Sequence, residues 1–273
     1  MLFYAAQAIK YIVLFDFLEY YINILRKNNN NGYDKNFYMV TITGLQGVPM
    51  ISETCDLSRI LVETVKKEYF KIAADDIICV ASKICSMAEG NIVDLSHVAP
   101  TSVAKRIHQR IPRKDASLIQ VIIDQTAGPS GSKLEISGNH IGAWLPNGLF
   151  LTSGGVDKGK NNTAITLPKN CDLTAKRISN TFYQELGVKT SVIITDSDGR
   201  ADKKGANQVA VGLYGLNGLR INKEAGTAET LCDLLAAAAG LVMGQRGVNM
   251  PLVCIHGLEY DQNTSSGIGD VVN

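Results

Sequence analysis

The chain has 273 residues, 45% of them hydrophobic and 19% charged, a globular composition long enough for one large domain or two closely joined ones. Lys and Arg number 27 against 26 Asp and Glu, a net charge of +1. That balance argues against a general nucleic-acid or membrane-surface binder, which needs a basic excess, and leaves room for a local basic pocket.

The opening stretch, "MLFYAAQAIKYIVLFDFLEYYINIL", is apolar and aromatic but is interrupted by Lys10, Asp16 and Glu19. It lacks the ~20 uninterrupted apolar residues of a membrane span, and the basic start and small-residue cleavage site of a signal peptide. "RKNNNNGYDKN" follows as a polar linker with no means of building a core. We expect residues 1–38 to be an apolar segment and Asn-rich linker outside the fold, and residues 39–273 to form the folded domain, with no membrane span and a cytoplasmic location. A weakly membrane-associating helix is the competing reading of the first residues.

Val40 to Thr43 alternates as a short strand, and "DLSRILVETVKKEYF" carries a helical period with Asp56 as N-cap. "DDIICVASK" is a continuous apolar run suited to a strand buried on both faces. Residues 101–110 and 116–124 read as helices. A strand-rich middle has turn signals at Ser137-Gly138-Asn139 and Pro146-Asn147-Gly148. "DLTAKRISNTFYQELG" is a capped helix closed by Gly187, leading into the strand "SVIITD". "NQVAVGLYG" reads as a strand, "TAETLCDLLAAAAGLVMG" as a long buried helix and "MPLVCIHG" as the last strand. Mixed elements with hairpin partners in the middle predict an α+β or mixed α/β fold.

The six cysteines form no C-x-x-C pair and sit mostly in apolar runs, as small core residues in a reducing compartment do. The four histidines are scattered without ligand spacing. "GGVDKGK" imitates a phosphate-binding loop, but Asn161 replaces the required Ser or Thr and no helix follows. "GLYGLNG" lacks the dinucleotide-binding glycine spacing. The acidic positions are more informative. Asp157 follows a strand and two glycines, and Asp196 follows "VIIT", with Ser197 beside it and Arg200, Lys203 and Lys204 downstream. Carboxylates at strand ends suit Mg²⁺ or Mn²⁺ held against phosphates. The same "TDSDG" composition equally suits a polar turn closing the strand.

Five ordered motifs resemble the coenzyme F420-0:L-glutamate ligase family across residues 42–258: "GLQGVPMI", "ICVASKICSMAEGNI", "LFLTSGGVD", "VIITDSDGR" and "LLAAAAGLVMGQ…MPLVCIHGL". The resemblance implies a distinctive mixed α/β fold, an intertwined homodimer, and a GTP-dependent ligase. That enzyme would join L-glutamate by a γ-glutamyl amide to a phosphorylated or carboxylate-bearing acceptor through an acyl-phosphate. It implies two divalent ions, Mn²⁺ or Mg²⁺, one on Asp157 and Asp196 and one on Ser197 and Gln245. Guanine-nucleotide contacts would come from Val48, Pro49, Met50, Ile51, Ser82 and Lys83, with Asp196 and Arg200 in the catalytic group. The route needs metal clamps on phosphates more than a general base, which agrees with the shortage of suitable histidines.

Several positions depart from the family pattern. Met87 stands where the family has a lysine, for which Lys83 is the candidate substitute. "GRADKKG" keeps charge but loses an arginine fork, "RINKEAG" is a short acceptor-side segment, and His256 replaces an arginine. These departures motivate an alternative, a divergent protein of the same fold that binds nucleotide or phosphorylated ligand without ligating. A membrane-tethered scaffold built on residues 1–25 is a third reading.

Overall fold

A computed structural model describes residues 39–126, 128, 130–222, 224–244 and 249–273. The N-terminal segment and Gln245 lie outside the described residues. The architecture is mixed α+β around a six-stranded sheet. Its strands are β1 (Thr41–Leu45), β2 (Ile77–Ala81), β9 (Ser191–Gly199), β10 (Ala206–Leu216), β13 (Leu252–His256) and β14 (Gln262–Asn263), in the order β1-β13-β2-β9-β10-β14. Only β2 and β9 run parallel, with Ala81 opposite Thr195; the other neighbours are antiparallel.

Strand alternation divides the core into two layers. Ile78 and Val80 of β2 and Val192 and Ile194 of β9 join one cluster with the helices α1 (Leu57–Lys67) and α5 (Cys171–Leu186). Ile77, Cys79 and Ile193 face the other way, onto Leu235, Ala236 and Ala239 of α6 (Leu231–Met243). The apolar run of β2 is thus buried on both faces, as its sequence predicts. The predicted caps are present: Asp56 accepts from Arg59 N at 3.2 Å, and Gly187, at φ 72°, donates to Tyr183 O at 2.9 Å.

A long excursion between β2 and β9 carries α2 (Ser82–Ala88) and then a lobe with its own core. The lobe contains β3 (Ile92–Asp94), α3 (Ser102–Arg110), α4 (Ala116–Asp124), β4 (Leu134–Ser137), β5 (His140–Trp144), β6 (Phe150–Thr152), β7 (Asp157–Lys158) and β8 (Thr163–Ile165). They form two three-stranded sheets, β3-β8-β7 and β4-β5-β6. In "GGVDKGK", Gly154 and Gly155 belong to a single 3₁₀ turn (Ser153–Gly155) and Asp157 onward enters the β7–β8 hairpin, so no α-helix follows to cradle a phosphate. Two expectations need correction. Residues 227–230 are not the start of α6 but a strand, β12 (Thr227–Thr230), paired with β11 (Leu219–Asn222). The strand at 252–256 is not the last, because β14 follows and adds to β10.

Candidate functional site

The parallel pair β2–β9 brings two chain segments to one sheet end, the carboxyl ends of both strands, which is where open sheets commonly receive ligands. Alternation along β9 sends Asp196 and Asp198 to the α2 side, with Val192 and Ile194. Thr195 and Ser197 face α6 instead, and the Thr195 hydroxyl lies 3.5 Å from Met243 Sδ at the end of that helix.

The run "TDSDG" is not a turn. It lies within β9, pairing residue by residue with β10 from Thr195↔Ala210 to Gly199↔Ala206. Asp198 does not shape a bend: its Oδ1 accepts from Thr152 N at 2.7 Å, and the Thr152 hydroxyl donates to Gly199 O at 2.6 Å. Those two bonds fasten the end of β6 to β9, so the segment that leads to Asp157 is carried to Asp196.

Asp196 is half-buried and its Oδ1 accepts a 2.6 Å hydrogen bond from Ser82 Oγ, at the start of α2. Burial pushes its carboxyl up to about 7, against the pull of the Ser82 bond, and the negative charge of Asp157 adds to the rise. Asp157 in turn accepts from Lys83 Nζ at 3.0 Å. Asp157, Asp196, Ser82 and Lys83 therefore form one constellation drawn from β7, β9 and α2.

Other predicted residues are placed differently. Arg200 is exposed and gives its guanidinium to Asp202 in the same loop, at 2.8 and 2.9 Å, rather than to the carboxylates. Ser82 is 4% exposed, so its hydroxyl serves Asp196 rather than an open surface. In the opening loop Ile51 is 4% exposed and part of the core, with Val48 packed against the same layer, whereas Pro49 is exposed and Met50 is 88% exposed. The loop is thus pegged at both ends and presents only its middle. Met87 packs against that core too, which accounts for an apolar residue there. Sequence reasoning passed over Glu89, whose carboxylate accepts from Arg177 Nη2 at 2.8 Å and Thr174 Oγ1 at 2.6 Å and clamps α2 to α5. His256, which stands where the family pattern has an arginine, meets the buried Asp76 at 2.6 Å, far along β13 from the carboxylate pair.

The donors are hard oxygens, the type that Mg²⁺ and Mn²⁺ take. Among the described residues no group of three or more His, Cys, Asp or Glu side chains converges, so an ion here would have two carboxylates and positions left for phosphate or water oxygens.

Residues 47–257 match the family model described as F420-0:gamma-glutamyl ligase. The chain belongs to this family. It is similar to the protein of Methanothermobacter thermautotrophicus described as coenzyme F420:L-glutamate ligase, at 30% identity over 239 residues, 84% of this chain and 93% of that one. A protein of the same description from Methanococcus maripaludis is 30% identical over 236 residues, 83% of this chain and 91% of its own. A third, from Methanopyrus kandleri, is 29% identical over 223 residues, 78% of this chain and 84% of its own. The matched region of this F420-0:gamma-glutamyl ligase family member takes in β2, the lobe and β9, and so all four residues of the constellation. No helix among the described residues is long and apolar enough to cross a membrane.

Proposed function

We propose that this chain is a GTP- and divalent-metal-dependent ligase that forms a γ-glutamyl amide between L-glutamate and a carboxylate-bearing acceptor, through an acyl-phosphate. The observation that carries the reading is the convergence of Asp157 and Asp196 at the carboxyl ends of the parallel pair, with Lys83 beside them, in a chain of this family. Asp157 and Asp196 would hold one Mn²⁺ or Mg²⁺ ion, and Ser197, on the α6 side, would serve the second with Gln245. When bound, such ions neutralise phosphate charge and orient its oxygens. Ser82 holds Oδ1 of the Asp196 carboxylate and so restricts its rotation where the ion would be held. Lys83 covers Asp157 in the resting protein and becomes available to phosphate oxygens when that carboxylate is engaged elsewhere. The exposed Pro49 and Met50 would meet the nucleotide, and Arg200 would leave Asp202 to act.

The homodimer belongs to the same proposal. Leu234 and Leu241, one face of α6 at 51% and 82% exposure, supply an apolar stripe that suits a second copy. The non-ligating alternative draws on Met87 in the core and Arg200 paired within its own loop. Phosphate release from GTP decides between the two. A ligase releases it only when L-glutamate and an F420-0-like acceptor are both present; a binding protein releases none under any addition.

A further inference from the structure

Ser153, Gly154 and Gly155 have φ of 56°, 60° and 68°, three left-handed residues in succession just before Val156 and Asp157. Glycine takes this conformation freely, but a serine there is strained, and such strain concentrates at functional sites. Ser153 is buried, and its hydroxyl accepts from Lys114 Nζ at 3.0 Å. Lys114 lies between α3 and α4 with its backbone fixed on both sides. Its N–H donates to Ile111 O at 3.1 Å, and its carbonyl accepts from His108 Nδ1 at 2.7 Å.

The neighbouring lysines each hold a carboxylate: Lys83 that of Asp157, and Lys158 that of Asp115. Lys114 has no carboxylate at ion-pair distance among the described residues, only the neutral Ser153 hydroxyl. Burial lowers its proton affinity, the charge of Arg113 lowers it further, and Asp157 is near enough to raise it. A partly desolvated ammonium with one neutral partner gains strongly from an anion.

We propose that Lys114 is a binding residue for the terminal phosphate of the nucleotide, aimed by Ser153 and reaching the site from the lobe. This rests on the reading of Asp157 and Asp196 as an ion-binding pair against phosphates.

The test is calorimetric titration in Mn²⁺ of wild type, Lys114→Met, Lys114→Arg and Ser153→Ala with GTP, GDP and tripolyphosphate. Lys114→Met is expected to weaken GTP and tripolyphosphate about tenfold or more and GDP by less than about threefold. Lys114→Arg should recover most of the loss, and Ser153→Ala should lose less than Lys114→Met. Unchanged GTP and tripolyphosphate binding by Lys114→Met overturns the assignment. So does an equal loss for GTP and GDP, or a Ser153→Ala loss as large as that of Lys114→Met, because the pair would then be merely structural. If wild type binds tripolyphosphate through Lys114 but neither nucleotide, the nucleotide reading falls and the phosphate site stands. Binding of none of the three by wild type overturns both.

Discussion

Asp196 holds its carboxylate against the physics of burial. An aspartate with an ordinary value of 3.8 in the unfolded chain and about 7 in the fold keeps its proton longer when folded. The native state therefore binds more protons than the unfolded state between those values, and stability falls as pH rises through that window. Asp196→Asn removes the charge and keeps an acceptor for Ser82. Its melting temperature at pH 8 is expected to exceed that of wild type by an amount worth roughly 1–3 kcal/mol. The two should converge near pH 4, in metal-free buffer. A wild type that gains stability from pH 5 to pH 8 relative to Asp196→Asn would contradict this. The residue expected to cost stability is thus the one proposed to hold the ion, a common relation between stability and function.

The elements that position Asp196 depend on two close contacts. Gly212 lies at a bulge in β10, and a Cβ there would stand 2.3 Å from Cys171 Cβ and 2.6 Å from its backbone carbonyl carbon. Gly212→Ala is expected to lift α5 off β10 and destabilise the fold by about 2 kcal/mol or more, measurable by urea denaturation. Glu89→Gln, which keeps shape and loses charge at the α2–α5 clamp, should cost about 1 kcal/mol. It should leave metal-free pH dependence unchanged, since Asp196 is held by Ser82 and not by Glu89. Much at this scale was legible in the sequence. The apolar run of β2, the Asp56 cap and Gly187 all state their own structure, because each is fixed by local chemistry. What was not legible depends on partners distant in sequence. "TDSDG" has the composition of a turn and becomes strand because β10 supplies a full ladder opposite it. "TAET" reads as helix N-terminus and becomes strand because β11 pairs with it. In the candidate site, Asp157 and Asp196 were legible as acids following apolar strands, but not their placement, since Asp196 lies within β9 and Asp157 opens β7. The roles of Ser82, Asp198 and Lys114 were not, since each is defined by a residue at least 39 positions away.

Among the described residues the apolar side chains gather in three clusters, two against the faces of the central sheet and one inside the lobe. Because a polar Asn-rich linker with no means of building a core separates residues 1–25 from β1, a chain beginning at Met39 is expected to fold with the melting temperature of the full chain and to bind the same ligands. Loss of several degrees would place residues 1–38 in the core and contradict the division proposed between them. The lobe and the sheet meet where Thr152 bonds to Asp198 and Gly199, and the candidate site stands at that seam. The central claim is that Asp157 from the lobe and Asp196 from the sheet act together on one ion and the phosphates it holds. Calorimetric titration of GTP with Mn²⁺ against wild type, Asp157→Ala and Asp196→Ala tests it most directly. Wild type should bind GTP only when Mn²⁺ is present, and either substitution should abolish that metal-dependent binding while leaving the protein folded. GTP binding that is absent in wild type, or that survives both substitutions undiminished, would contradict the account.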